Sequence, residues 1–138
     1  MSTYDFELVN PPANERRREL WLQHAAGFIL FEYVRKRALS EIAESASAEA
    51  RSAAEKAIDD CMYALMRLID GNSGALMNAD FEVDLRMIAR LASAQGPDAP
   101  IQQLDLRDGD GFCMGFHYWK EGDFGDDPVA APRQTSAE

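Results

Sequence analysis

The stretch Asp108-Gly-Asp-Gly-Phe-Cys-Met-Gly-Phe-His-Tyr-Trp119 decides how this chain is expected to fold. An Asp-Gly turn, in which glycine tolerates the positive φ of a tight hairpin, leads directly into a run rich in aromatic residues. In a strand, alternation places Phe112, Met114, Phe116 and Tyr118 on one face and Cys113, Gly115, His117 and Trp119 on the other. We therefore predict a final strand whose first face packs into the core, while His117 and Trp119 point outward.

Two strands are predicted before this one. Phe81, Val83, Leu85 and Met87 alternate with Glu82, Asp84 and Arg86, which is typical of a half-buried strand. Residues 92–100 form a loop too short for a crossover helix, and residues 101–107 continue as a second strand. Residues 4–9 also alternate and end before two prolines, so they supply a candidate fourth strand whose pairing the sequence leaves open.

Two helices are predicted in the first half of the chain. Asn14 is a suitable N-cap for a long helix that runs to about Glu44, within which Gly27 marks a close crossing. A second, more clearly amphipathic helix covers residues 48–70 and ends before Gly71, the expected C′ glycine. Its apolar arc includes Cys61, which we expect to be a small core residue. A disulfide between Cys61 and Cys113 is not required by the sequence.

These elements predict an α+β fold in the order α-α-β-β-β. Two antiparallel helices pack on one face of an antiparallel β-meander of three strands, or four if residues 4–9 join it. A chain of 138 residues suits one domain that buries roughly two thirds of its unfolded surface. We assign that domain to residues 1–125, and we expect residues 126–138, with little periodicity, to form a disordered tail.

The first helix carries apolar residues almost all the way round. Such a helix must be covered on every side, either by the rest of the domain or by another chain. The second alternative predicts a homodimer formed through Trp21, Phe28 and Phe31.

The formal net charge of −10 excludes a nucleic-acid binder and favours a basic protein partner. The most apolar segment is far shorter than the roughly twenty residues that a membrane span requires. The N-terminal residues lack the pattern of a signal peptide, and two cysteines suit a reducing compartment. The sequence therefore predicts a cytoplasmic protein.

No cofactor, metal site or catalytic residue is predicted. Asp108 and Asp110 have the wrong register for a calcium loop. Cys113 and His117 would lie about 13 Å apart along a strand, too far for proton transfer between them. His117 could instead meet a carboxylate across the sheet, for which Glu82, Asp84 and Asp105 are the candidates.

The leading functional hypothesis is a non-enzymatic interaction module, of the inhibitor or immunity type, that engages a basic protein. Its candidate binding surface comprises Asp108, Asp110, His117, Trp119, Glu121 and Asp123. The alternative is a small ligand-binding protein or enzyme with a pocket around His117, Asp108, Asp110 and Trp119.

Overall fold

The computed structural model describes residues 6–125 and 128–132. Helices and antiparallel strand pairs alternate along the chain in one mixed α and β fold. The helices are α1 (Glu15–Leu30), α2 (Lys36–Ser40), α3 (Ala48–Ile69) and α4 (Phe112–Lys120), with a π-helical segment, Phe31–Arg35, that joins α1 to α2. The strands are β1 (Phe6–Leu8), β2 (Leu76–Met77), β3 (Glu82–Val83), β4 (Ile88–Ser93), β5 (Gly96–Asp105) and β6 (Val129–Pro132).

Both predicted helices are present, but the first is divided by the π-helical segment and ends at Ser40 instead of about Glu44. Local capping accounts for the starts of α1 and α3 and for the end of α3. The Asn14 side chain accepts a hydrogen bond from the Arg17 backbone N–H at 3.0 Å, as an N-cap does. Ser47 caps α3 in the same way. Helix α3 ends where Gly71 adopts a φ of +79°, which a residue with a side chain rarely adopts.

Within the described part of the chain, the strands form three separate pairs instead of one meander. Strand β4 pairs with β5, from Ile88 opposite Asp105 to Ser93 opposite Gly96, so the loop predicted over residues 92–100 is a shorter turn. Strands β2 and β3 form a second hairpin.

Strand β1 pairs with β6, so the N-terminal strand does not join the predicted sheet. Strand β6 lies within the segment 126–138 that is predicted as a disordered tail, and its backbone is extended beside β1. Residues 126–127 and 133–138 of that tail lie outside the described residues.

The segment predicted as the last strand is helix α4, so the predicted sidedness is wrong. Its buried residues are Phe112, Gly115, Phe116 and Trp119, which follow the spacing of a helix. Met114 and Tyr118, expected in the core, are exposed. Trp119, expected outside, is only 2% exposed.

Helix α4 occupies the centre of the core. Its three buried aromatic residues belong to one apolar cluster with side chains from α1, the π-helical segment, α3, the β4–β5 hairpin and the turn that follows β5. Those side chains are Trp21, Leu22, Phe31, Met62, Met66, Ile69, Leu91, Leu104 and Leu106. On α3 the buried face lies along Met62, Met66 and Ile69, so the prediction that Cys61 is a core residue is wrong: Cys61 is exposed.

Candidate functional site

The carboxylate of Asp70 fixes the start of α4. Asp70 is the C-cap of α3, and its side chain accepts hydrogen bonds from the backbone N–H groups of Phe112 at 2.6 Å and Cys113 at 2.9 Å. These are the groups that a helix leaves unpaired at its N-terminus. Gly111 precedes the helix with a φ of +108°. A residue 42 positions away in sequence therefore supplies the cap that makes this segment helical.

The indole of Trp119 belongs to the core and not to a binding surface. Its Nε1 donates a hydrogen bond to Nδ1 of the partly buried His24 at 3.0 Å. Gly27 of α1 and Gly115 of α4 lie directly against the ring, and a Cβ at either position would approach it to about 2.5 Å. Gly27 thus marks the close crossing that the sequence predicts.

His117 is exposed and lies beside two aromatic rings. Its ring centroid is 5.8 Å from that of Tyr63 and 5.6 Å from that of Phe116. It lines a shallow cavity of about 280 Å³ together with Asp59, Asp60, Tyr63, Phe116 and Lys120. The carboxylates nearest this cavity therefore come from α3, and not from the cross-strand residues Glu82, Asp84 and Asp105.

The acidic residues of that cavity already have basic partners. Asp59 accepts hydrogen bonds from Arg35 Nε at 2.6 Å and forms an ion pair with Lys120 Nζ at 3.1 Å. Burial alone would raise the pKa of the Asp59 carboxyl, but the two cations outweigh it and hold that pKa below its ordinary value. Asp60 is paired with Lys56 at 2.6 Å. The cavity therefore presents little uncompensated charge to a ligand.

The remaining residues of the predicted binding surface lie in different surroundings. Asp110 forms an ion pair with Arg16 at 3.3 Å, and its backbone N–H donates to the buried side chain of Gln23. Asp108, Glu121 and Asp123 are exposed. The pocket predicted around His117, Asp108, Asp110 and Trp119 does not form, because Trp119 is in the core and the cavity at His117 is lined by α3 and α4 residues.

Cys113 is partly buried at the N-terminus of α4. Burial, followed by the nearby Asp70 carboxylate, raises the pKa of the Cys113 thiol. A thiol with a raised pKa is a poor nucleophile at neutral pH. Both cysteines are free.

A group of highly exposed apolar residues lies on and beside the β2–β3 hairpin, whose part from Phe81 onward is predicted as a half-buried strand. We name residues 74–85 the arm. Leu76 is 71% exposed, Met77 73%, Phe81 74%, Val83 61% and Leu85 65%. The period-two alternation was a correct signal of extended chain, but the apolar face is exposed among the described residues instead of buried.

The two faces of the arm differ in chemistry. Strand pairing places Leu76 opposite Val83 and Met77 opposite Glu82. Since successive side chains of a strand point to opposite faces, Phe81 shares the face of Val83, which we name the apolar face. The other face carries Met77 and Glu82, with Asp80 in the turn.

The tip of the arm is well defined. The Asn78 side chain accepts hydrogen bonds from the backbone N–H groups of Asp80 at 2.9 Å and Phe81 at 2.8 Å. The Asn78 backbone N–H in turn donates to the Phe81 carbonyl at 2.9 Å. The apolar side chains are therefore held on an ordered turn.

The base of the arm is held by charged side chains. Asp84 accepts hydrogen bonds from Arg86 at 3.1 Å and from Arg107 at 3.0 Å, and Arg86 also reaches Asp105 at 3.1 Å. The Arg107 side chain lies against Gly71, where a Cβ would come within 2.6 Å of its Nε. This network joins the arm to the end of the β4–β5 hairpin.

The surface of α1 is covered only in part. Trp21 and Phe31 are core residues, so the predicted homodimer contact through Trp21, Phe28 and Phe31 is wrong for these two. Phe28 packs edge-on against Phe6 and Phe124, with ring centroids 5.1 and 5.2 Å apart. Elsewhere on α1 and the π-helical segment, four large apolar residues are exposed: Leu20, Ile29, Tyr33 and Val34.

Within residues 6–125 and 128–132, no helix is both long and apolar enough to cross a membrane. The same residues contain no group of three or more histidine, cysteine or acidic side chains placed to hold a metal ion. No protein-family model, curated protein or solved structure matches the chain.

Proposed function

We propose that this protein is a non-enzymatic interaction module of the inhibitor or immunity type, which binds a basic protein partner. The arm supplies the contact through its carboxylate-bearing side, where Asp80 and Glu82 flank the exposed side chain of Met77. An apolar anchor beside carboxylates suits a partner surface that combines lysine or arginine with an apolar recess.

The observation that carries this proposal is the way the charges are distributed. Many of the basic side chains are already in ion pairs within the chain. They are Arg16, Arg35, Lys36, Arg37, Lys56, Arg86, Arg107 and Lys120. Asp80 and Glu82 form no ion pair with any other described residue and are exposed. These two carboxylates are thus available to an incoming cation, and the net charge of −10 over the whole chain adds to the attraction.

The fixed geometry of the arm supports the same proposal. Its tip is closed by the hydrogen bonds to Asn78, and its base is joined to the β4–β5 hairpin by the network around Asp84. A preorganised binding element loses less conformational entropy on association than a flexible loop. The arm therefore presents Met77, Asp80 and Glu82 at little ordering cost.

The cavity at His117 favours a second, weaker candidate function, which is the binding of a small ligand. The aromatic rings of Tyr63 and Phe116 beside the imidazole would suit a planar or cationic group. This alternative predicts that a metal or metabolite raises the melting temperature of the wild type. It is refuted if no compound of a thermal-shift panel does so, or if His117→Ala responds to every compound as the wild type does.

The interaction proposal is tested by capture on immobilised protein from a lysate of the source cells. Captured proteins are eluted with salt and identified by mass spectrometry, and the affinity of the main one is measured. We expect a protein with basic surface, bound on the order of tenfold more weakly by the double variant Asp80→Asn/Glu82→Gln. We also expect the binding to weaken as salt rises.

The matched control is Glu49→Gln/Glu55→Gln, which removes the same amount of charge from the exposed part of α3. It should retain the affinity of the wild type. An acidic captured partner, no retained protein, or equal weakening by the two double variants would each contradict the proposal.

A further inference from the structure

The apolar face of the arm is an interaction surface separate from its carboxylate-bearing side. It carries the paired residues Leu76 and Val83, and the exposed side chains of Phe81 and Leu85 come just before and just after β3. Each of these side chains is more than half exposed. No ionisable side chain lies among the paired residues of this face, because Glu82 and Met77 point to the other one. Soluble proteins seldom leave a contiguous apolar face of this kind uncovered.

We infer that the occupant of this face is the same face of a second copy of the chain. The proposed basic partner does not suit it, since this face offers no carboxylate to a lysine or arginine. Homodimer interfaces are more apolar than interfaces between exchangeable partners, which resemble the ordinary protein surface. A face whose paired residues carry no ionisable side chain therefore suits the same face of a second copy.

The available area suits a weak pair that forms only as the protein concentration rises. The exposed apolar side chains of two arms together offer at most on the order of 1,000 Å², just below the roughly 1,200–2,000 Å² of stable interfaces. In a two-fold contact the same patch is used by both chains, so no second complementary surface is required. Once the two apolar faces are in contact, neither is available to bind a third chain, so the assembly stops at two copies.

Charge segregation makes the pairing compatible with the acidity of the chain. Two chains of net charge −10 repel each other, but Glu82 and Met77 lie on the sides of the arms away from the contact. Added salt screens this repulsion and strengthens apolar burial. We expect the self-association to strengthen with salt, which is opposite to the expected behaviour of the basic partner.

The test compares two neighbouring residues of equal exposure on opposite faces. Leu76→Glu introduces a charge into the apolar face, whereas Met77→Glu introduces the same charge on the other face. Neither residue is in the core, so both variants should keep the wild-type circular dichroism and melting temperature measured under dilute, monomeric conditions. The molar mass is measured by light scattering from 1 to about 100 μM protein.

We expect the wild type and Met77→Glu to reach twice the chain mass of 15.4 kDa. Leu76→Glu should remain at 15.4 kDa, because each pair would bury two unpaired carboxylates, and its association should weaken by on the order of 100-fold or more. A wild type that stays monomeric throughout, a mass above two chains, or equal dissociation by both variants would overturn the inference. A monomeric wild type that still binds a basic protein would refute the pairing and leave the proposed function standing.

Discussion

The crossing of α1 and α4 at Trp119 is the feature of this core least able to accept added volume. A Cβ at Gly27 would lie 2.5 Å from Cε2 and 2.6 Å from Cδ2 and Cζ2 of the Trp119 ring. The ring cannot easily move away, because it also lies against Gly115 and is held by the hydrogen bond to His24. We therefore predict that Gly27→Ala forces one of the two helices to shift.

The expected magnitude follows from two opposing effects. Overpacking in a core usually destabilises a protein by about 1–3 kcal/mol. Alanine is the better helix former and returns at most about 1 kcal/mol relative to glycine. The contacts near 2.5 Å place this site at the upper end of the first range, so we expect Gly27→Ala to lower the free energy of unfolding by about 1–2 kcal/mol.

Urea denaturation followed by circular dichroism measures this change, with the midpoint compared at unchanged slope. Gly96→Ala is the control, because a Cβ at that position meets nothing within 4 Å and its φ is not in the left-handed region. We expect the control to stay within about 0.5 kcal/mol of the wild type. If Gly27→Ala were as stable as Gly96→Ala, the close packing of α1 on Trp119 would be refuted.

Two other substitutions test how α3 is joined to its neighbours. Asp70→Ala should destabilise the protein by about 1–2 kcal/mol, because two backbone N–H groups at the start of α4 lose their acceptor. Chemical denaturation measures this loss. An unchanged denaturation midpoint would contradict the role of Asp70 as the cap of α4. Asp59→Asn should cost about 1–2 kcal/mol at pH 7 through the loss of the charge-assisted bond to Arg35. Since the folded pKa of Asp59 is lowered, its contribution is complete above the ordinary value of 3.8 and disappears as the pH falls through the folded value. The stability difference between Asp59→Asn and the wild type should therefore vanish in acid, and a difference that persisted unchanged at pH 2 would refute this assignment.

The predictable parts of this fold are those that local chemistry determines. The ends of α3 follow from Ser47 and Gly71, which act within a few residues of their own positions. The same holds for Asn14 at the start of α1. Strand β5 agrees in part with the prediction, because the strand expected over residues 101–107 overlaps its C-terminal half. For these elements a short window of sequence contains the deciding interaction.

Helix α4 shows why the remaining parts could not be predicted. Phe112 and Phe116 are four residues apart, a spacing that fits a helix as well as an alternating strand, and the aromatic content favours the strand. The deciding group is the carboxylate of Asp70, which comes from a distant part of the chain. Because this segment is predicted as a strand, Trp119 is expected on the surface. The predicted pocket depends on that outward position.

The exposure of the arm could not be predicted for a different reason. The alternation of Phe81, Val83 and Leu85 correctly indicates extended chain with one apolar face. A sequence pattern does not tell whether that face is covered by the same chain or by another one. The earlier expectation of a homodimer through α1 came from the same excess of apolar surface, assigned to residues that the structure places in the core.

The covering of the apolar face by a second chain is tested most directly by a tryptophan at position 81. The native indoles of Trp21 and Trp119 are buried, so quenching of Phe81→Trp fluorescence by acrylamide reports the environment of the new side chain. The account predicts that the added fluorescence is readily quenched at nanomolar protein and becomes protected as the concentration rises into the micromolar range. The variant must keep the fold of the wild type and reach the same molar mass. If its added fluorescence were nevertheless readily quenched at every concentration, the covering of the apolar face by a second chain would be contradicted.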